Sequence, residues 1–171
     1  MKQLYLMRHA KSEWDDPDLD DHDRPLSPRG ERAAPLMAGH LKSRSIQPGL
    51  ILCSTARRTR ETLGFLTPAL DGVPVQFERQ VYTFNPDSLF DRLRLLDDSL
   101  KAVMVVGHNP ALQDLILMLT EGQTVTAART ALEDKFPTAA YAELDLDIGS
   151  WRDLATGCGR LAHFTRPRDL A

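Results

Sequence analysis

No uninterrupted apolar stretch in the chain approaches the ~18 residues that a membrane-spanning helix needs, so no spanning segment is expected. The opening Met1-Lys2-Gln3-Leu4-Tyr5-Leu6-Met7 carries an apolar run too short for a signal peptide, which predicts a cytoplasmic protein. Cysteine is scarce: Cys53 and Cys158 are the only two, with no Cys-x-x-Cys spacing, so neither a disulfide framework nor a zinc ribbon is expected and both thiols read as structural. There is no basic excess either. With 21 Lys and Arg against 24 Asp and Glu the formal charge is −3, and a long polyanion meets net repulsion, which argues against a nucleic-acid partner.

What remains is an ordinary globular composition, 42% hydrophobic and 26% charged over 171 residues, a length that fits a single domain spanning 1–171. Three short apolar runs, Leu4–Met7, Leu50–Cys53 and Val103–Val106, are continuous rather than alternating, the pattern of parallel strands buried on both faces. Helical periodicities separate them. The first helix should open at the capping pair Ser27-Pro28 and bury Ala33, Leu36, Met37 and Leu41, with a kink at Pro35. A second is predicted from Ala56 to Leu70 with Leu63, Leu66 and Leu70 inward, and a third after Pro86 with Leu89, Leu93, Leu96 and Leu100. A fourth should follow Asn109-Pro110, burying Leu112, Leu115, Ile116 and Leu119 and stopping at Gly122. In the last third, Ala140–Leu146, Trp151–Leu154 and Arg160–Phe164 read as antiparallel edge strands set off by turn residues. The expected fold is a three-layer α/β/α sandwich with a mostly parallel central sheet and right-handed crossovers.

Ligands of open α/β sheets gather beyond the carboxyl ends of the strands. Each of the three buried runs ends there in cationic or imidazole side chains: Arg8-His9 after the first, Ser54-Thr55-Ala56-Arg57-Arg58 after the second, Gly107-His108-Asn109 after the third. Guanidinium forks match phosphate oxygens in pairs, and helix N-termini after Thr55 and Asn109 add backbone donors, so a compact dianion such as phosphate is the expected guest. Any single arginine is more often an ion-pair partner of a nearby carboxylate. Convergence at three strand ends favours the pocket.

The segment Leu6-Met7-Arg8-His9-Ala10-Lys11-Ser12 resembles the Arg-His-Gly signature of the histidine phosphatase superfamily, the phosphoglycerate mutase-like fold. Arg58-Thr59-Arg60-Glu61-Thr62 resembles its second arginine with a threonine four residues on, and Gly107-His108-Asn109-Pro110 its second histidine motif. With Asp23-Arg24-Pro25-Leu26-Ser27-Pro28-Arg29-Gly30 added, the likeness covers most of the chain in order and leans towards the short SixA-like phosphohistidine phosphatases. The resemblance implies His9 as nucleophile, Arg8, Arg58 and His108 as holders of the phosphoryl oxygens, and no metal or cofactor. Cations beside His9 should keep its imidazole neutral before the phosphoryl group binds.

Two departures from the family pattern bear on chemistry. Ala10 stands in place of the usual glycine, a change that is harmless if the backbone there is ordinary. Asp15 stands where many members carry an asparagine that touches phosphate, which makes it a candidate contact and a reserve acid although its charge repels a dianion. Ser12 and Asn109 are further candidate contacts; Ser12 has turn capping as its alternative. The segment Gln80–Asn85 holds none of the carboxylates that serve relatives as leaving-group acid. An alkoxide leaves badly without a proton, whereas an imidazole of pKa ~6.5 leaves with little help. The expected substrate is therefore phosphohistidine on a protein. Alternatives are a small-molecule phosphomonoester, a phosphoryl carrier or an idle phosphate-binding protein, and a mutase fits less well. Asp16, Asp18 and Asp20 mimic the start of a calcium loop, but Asp21 and Ser27 break it, so the stretch containing His22 reads as a solvated acidic loop that gates entry. His40 and His163 read as packing or surface residues, and Arg57 as a surface ion-pair former beside Arg58.

Overall fold

The computed structural model describes residues Met1–Ala171. Six strands form one sheet: β1 (Lys2–Arg8), β2 (Leu50–Ser54), β3 (Val75–Glu78), β4 (Ala102–Gly107), β5 (Tyr141–Leu146) and β6 (Gly159–Thr165), in the order β3-β2-β4-β1-β5-β6. The first four in that order are parallel, and β5 and β6 run antiparallel. The three apolar runs are continuous because both faces are covered. Leu4, Leu6, Leu52, Val103 and Val105 feed one core, and their neighbours Tyr5, Met7, Cys53, Met104 and Val106 feed the other. Helices α1 (Pro28–Ser43) and α2 (Arg57–Leu66) cover the second face, while α3 (Pro86–Leu93), α4 (Ala111–Leu119) and α5 (Ala127–Asp134) cover the first. The architecture is the expected α/β/α sandwich. No helix is long and apolar enough to cross a membrane.

Several local expectations change. The buried stripe of α1 is Gly30, Ala34, Met37 and Leu41; Leu36, two positions from Ala34, lies on the opposite side and is exposed. The helix runs unbroken through Pro35. α2 ends at Leu66 because Pro68 cannot continue it, and a 3-10 turn over Thr67–Ala69 carries Leu70 inward. β5 is not an edge, since it lies between β1 and β6. Trp151–Leu154 is not a strand: Asp98 accepts from the Ser150 hydroxyl and the Trp151 backbone N–H, curling Trp151–Asp153 into a 3-10 turn that buries the indole.

One glycine is fixed by close approach. Ser27 caps α1 by accepting from the Gly30 N–H, and the backbone N–H and hydroxyl of Ser27 both donate to the Lys11 carbonyl. A β-carbon on Gly30 would lie 2.1 Å from that carbonyl oxygen. Gly30→Ala is expected to push the Lys11-Ser12 segment away and cost about 1–3 kcal/mol, read as a lower Tm.

Candidate active site

Three distant segments meet because β2, β4 and β1 are adjacent in the sheet. Cys53 pairs with Val106, Val106 with Met7, and Gly107 with Arg8, so the residues that follow each strand emerge side by side. They enclose a cavity of about 260 Å³ bordered by Arg8, His9, Ser12, Arg24 and Arg58, with Trp14 and Phe84 at its mouth. Asp21 is the one carboxylate in its wall.

His9 is buried, and its Nδ1 lies 2.7 Å from the Ala10 carbonyl oxygen. A carbonyl only accepts, so the ring proton sits on Nδ1 and the lone pair on Nε2. Burial, reinforced by Arg58, Arg8 and Arg24, pulls the pKa of His9 down to about 3. Desolvation thus outweighs the neighbouring cations that the sequence suggests as the cause. The N–H of Ala10 donates to Thr62 Oγ1, which itself donates to the Arg58 carbonyl. That is the physical content of the four-residue spacing from Arg58 to Thr62: one hydroxyl ties α2 to the turn that carries His9. Ala10 itself is fully buried and its φ is negative, so the missing glycine costs nothing.

The ring of His108 lies 5.2 Å from that of His9, buried against Tyr82 and Phe84 rather than opening into the cavity. Its Nε2 is 2.8 Å from Ser54 Oγ, which also accepts the Ala56 N–H. Burial and the proximity of His9 and Arg58 hold its pKa down to about 2, so the ring is neutral. Its Nδ1 is buried and has no partner.

Arg58 is almost wholly buried, and donates from Nη1 to the Asp21 carbonyl at 2.6 Å and from Nη2 to Asp21 Oδ2 at 2.9 Å. Tyr82 donates to the same carboxylate at 2.6 Å, and Arg24 Nη2 lies 3.2 Å from Oδ1. Burial pushes the Asp21 carboxyl up, but the hydrogen bonds from Tyr82 and Arg58 outweigh it and hold the group below the usual carboxylate range. Arg8 donates to the Phe136 carbonyl. After these bonds are counted, Arg8 Nε, Arg24 Nε and Nη1, Arg58 Nε and His108 Nδ1 remain buried without partners. Unpaired buried donors are costly, and several around one cavity mark where an anion with many acceptor oxygens belongs.

The other sequence candidates fare differently. Ser12 is buried and borders the cavity. Asn109 also borders it, but its amide donates to Gln113 Oε1 and the Phe136 carbonyl and accepts the Gln113 N–H, so it serves to start α4. Asp15 does not line the cavity and is exposed; its neighbour Trp14 lays its indole on the Arg24 guanidinium at 3.3 Å. The acidic loop is only partly solvated. Asp21–Asp23 forms a 3-10 turn against the site, and His22 Nε2 reaches Thr55 Oγ1 at 2.8 Å, while no group of carboxylates there is spaced to hold a metal. Arg57 pairs with Glu61 at the surface. Arg24, Asp21, Tyr82 and Ser54 were given no role by sequence reasoning. Cys53 is buried, its thiol pushed up to about 12 by desolvation.

Burial of neutral imidazoles has a measurable consequence. His9 and His108, and in the same direction His40 and His163, have folded pKa values below the unfolded value of 6.5, so the unfolded chain binds more protons at acid pH. Stability is expected to be flat above pH ~6.5 and to fall as pH drops below it. Thermal unfolding between pH 7.5 and 5, a window about a unit above ordinary carboxylate titration, checks this; a rising Tm on acidification would contradict it.

A sequence profile of the histidine phosphatase superfamily (branch 1) matches residues 4–82. An uncharacterized protein of Mycobacterium tuberculosis is 36% identical over 163 residues, 95% of this chain and all of the relative. A crystal structure named for phosphohistidine phosphatase SixA from Agrobacterium tumefaciens is 30% identical, with a TM-score of 0.81 over 97% of this chain and 98% of that one. A second structure of that name, from Nakamurella multipartitia, is 28% identical with a TM-score of 0.83 over 97% and 96%.

Proposed function

The chain belongs to the histidine phosphatase superfamily and is a phosphatase, and from that premise we propose that it works through a phosphohistidine on His9 and takes phosphohistidine on a protein as its substrate. The observation that carries this reading is the set of unpartnered buried donors around the free Nε2 of His9. In the first step Nε2 attacks phosphorus and the bond to the leaving nitrogen breaks. Arg8, Arg24 and Arg58 hold the equatorial oxygens, where charge accumulates in the transition state, while His108 packs beside the His9 ring. The positive charge gained by the His9 ring is met by the Ala10 carbonyl on Nδ1. In the second step water attacks the same phosphorus, its proton passing to the released phosphate, and His9 departs as neutral imidazole with its Nδ1 proton retained.

The choice of leaving group rests on the acid. Asp21 is the only carboxylate at the cavity, and with Tyr82 and Arg58 donating to it, it stays ionised at neutral pH and is a poor proton source. A phosphoimidazole protonated on its other ring nitrogen leaves as neutral imidazole and needs no acid from the protein; an alkyl ester does. Hydrolysis of phosphohistidine is expected to exceed that of a simple alkyl phosphate by about 10³-fold in kcat/KM, the usual worth of a general acid. Comparable or faster turnover of the alkyl ester would remove the assignment.

A further inference from the structure

A second cavity, of about 250 Å³, adjoins the catalytic one. Thr138 stands in the walls of both, in the segment whose Phe136 carbonyl accepts from Arg8 and Asn109 and whose Ala139 N–H donates to the His9 carbonyl. Beside Ala131, Pro137 and Pro167 the lining is polar or charged. Its charge is cationic on a chain of net charge −3: Arg29, Lys135, Arg166 and Arg168 face one carboxylate, Asp134. Arg166 is already held by Asp169, and the same pairing braces the Pro167–Asp169 turn that carries Arg168. Arg29, Lys135 and Arg168 take part in no ion pair or side-chain hydrogen bond of the chain.

We infer that this cavity is a docking subsite for carboxylate side chains flanking the phosphorylated residue of a protein partner. The inference rests on the protein-phosphohistidine reading of the catalytic cavity and deepens it. A compact phosphate is ill suited to the subsite. The catalytic cavity gathers buried donors on one point, whereas Arg29, Lys135 and Arg168 are exposed and come from the start of α1, the end of α5 and the C-terminal turn. Separate, solvated cations match several carboxylates on a flexible segment, each pair worth a fraction of a kcal/mol, so their joint effect falls on KM and weakens with salt. The mouth is open enough for a macromolecule: Trp14 and Phe84 at the catalytic rim are 68% and 52% exposed.

The test uses the full chain and its Arg29→Glu/Lys135→Glu/Arg168→Glu variant on three substrates: free phosphohistidine and two phosphohistidine peptides that differ only in glutamate or glutamine flanks. In the wild type the acidic peptide should show a KM about tenfold lower than the neutral one at low salt. The variant should lose that preference while its kcat/KM on free phosphohistidine stays unchanged. In parallel, rhodamine-labelled unphosphorylated acidic peptide should bind the wild type and not the variant by fluorescence anisotropy. A preference that survives in the variant, or is absent from the wild type, overturns the subsite. So does an advantage confined to a small bisphosphate such as propane-1,3-diol bisphosphate, which would place a metabolite there. If no phosphohistidine substrate turns over while the anisotropy difference holds, the catalytic reading falls and the acidic subsite stands.

Discussion

Replacing His9 by alanine is expected to lower kcat by about 10⁴-fold or more and to abolish an acid-labile phosphoenzyme, the scale of losses seen when a covalent nucleophile is removed. The site explains why no neighbour can take over. His108 is neutral but buried, its Nε2 engaged with Ser54. The one carboxylate of the cavity, Asp21, is bonded to Arg58 and Tyr82 rather than to Ser12, and the thiol of Cys53 is buried and held protonated. The donors, by contrast, survive the substitution. Inorganic phosphate should therefore bind the variant within a few-fold of the wild type while turnover disappears, a split between binding and chemistry that a misfolded variant would not show. Rapid acid quench with a phosphorylated donor reads the adduct, and phosphate release reads the turnover. An alanine variant that keeps a tenth of its activity would move the nucleophile elsewhere.

Legibility in the sequence followed burial. The runs ending at Met7, Cys53 and Val106 are apolar on both faces because both faces are covered, and the polar residues immediately after them are then confined to one end of the sheet. Strand β3 escaped notice since Val75 and Phe77 are exposed on an edge strand and their neighbours are polar. Helix α5 escaped because Leu132 is its only buried residue, although Thr126, which accepts from the Arg129 N–H, was a readable cap. Trp151 read as a strand residue because a buried indole looks the same in either state; the deciding contact, Asp98, is far away in sequence.

The candidate site divides along the same line. Arg8, His9, Arg58 and His108 sit at strand ends, where topology alone gathers them. Arg24 and Asp21 lie in a polar loop that looks solvated, and only its return across the site distinguishes them from the other charged residues there. A signal for Arg24 existed in the run Arg24-Pro25-Leu26: Leu26 is buried and pairs with Ser12, which holds the loop against the turn after β1. Nothing comparable marks Asp21. Asp15 illustrates the converse, a position that fits the motif yet is exposed and outside the cavity wall.

Arg58→Ala is expected to cost about 10³-fold in kcat/KM, in the range for removing a donor aimed at transition-state charge. Arg58 contributes a buried Nε with no other partner, and its guanidinium also orders Asp21. Two controls separate these duties. Arg58→Lys restores one positive charge but not the fork that binds Asp21 and an oxyanion together, so it should recover only a small part of the loss. Asp21→Asn keeps Arg58 and the Tyr82 contact while removing the carboxylate charge, and should lose no more than about tenfold, since Asp21 acts by holding the arginine rather than by touching phosphorus. In Arg58→Ala the Asp21 carboxyl loses one hydrogen bond and a neighbouring positive charge that hold it down and should titrate closer to the ordinary range, a shift readable by NMR. If Arg58→Ala retained activity within tenfold while Asp21→Asn lost more, the carboxylate would be acting in the chemistry itself. The preference for an imidazole leaving group would then have to be rebuilt around an acid at position 21.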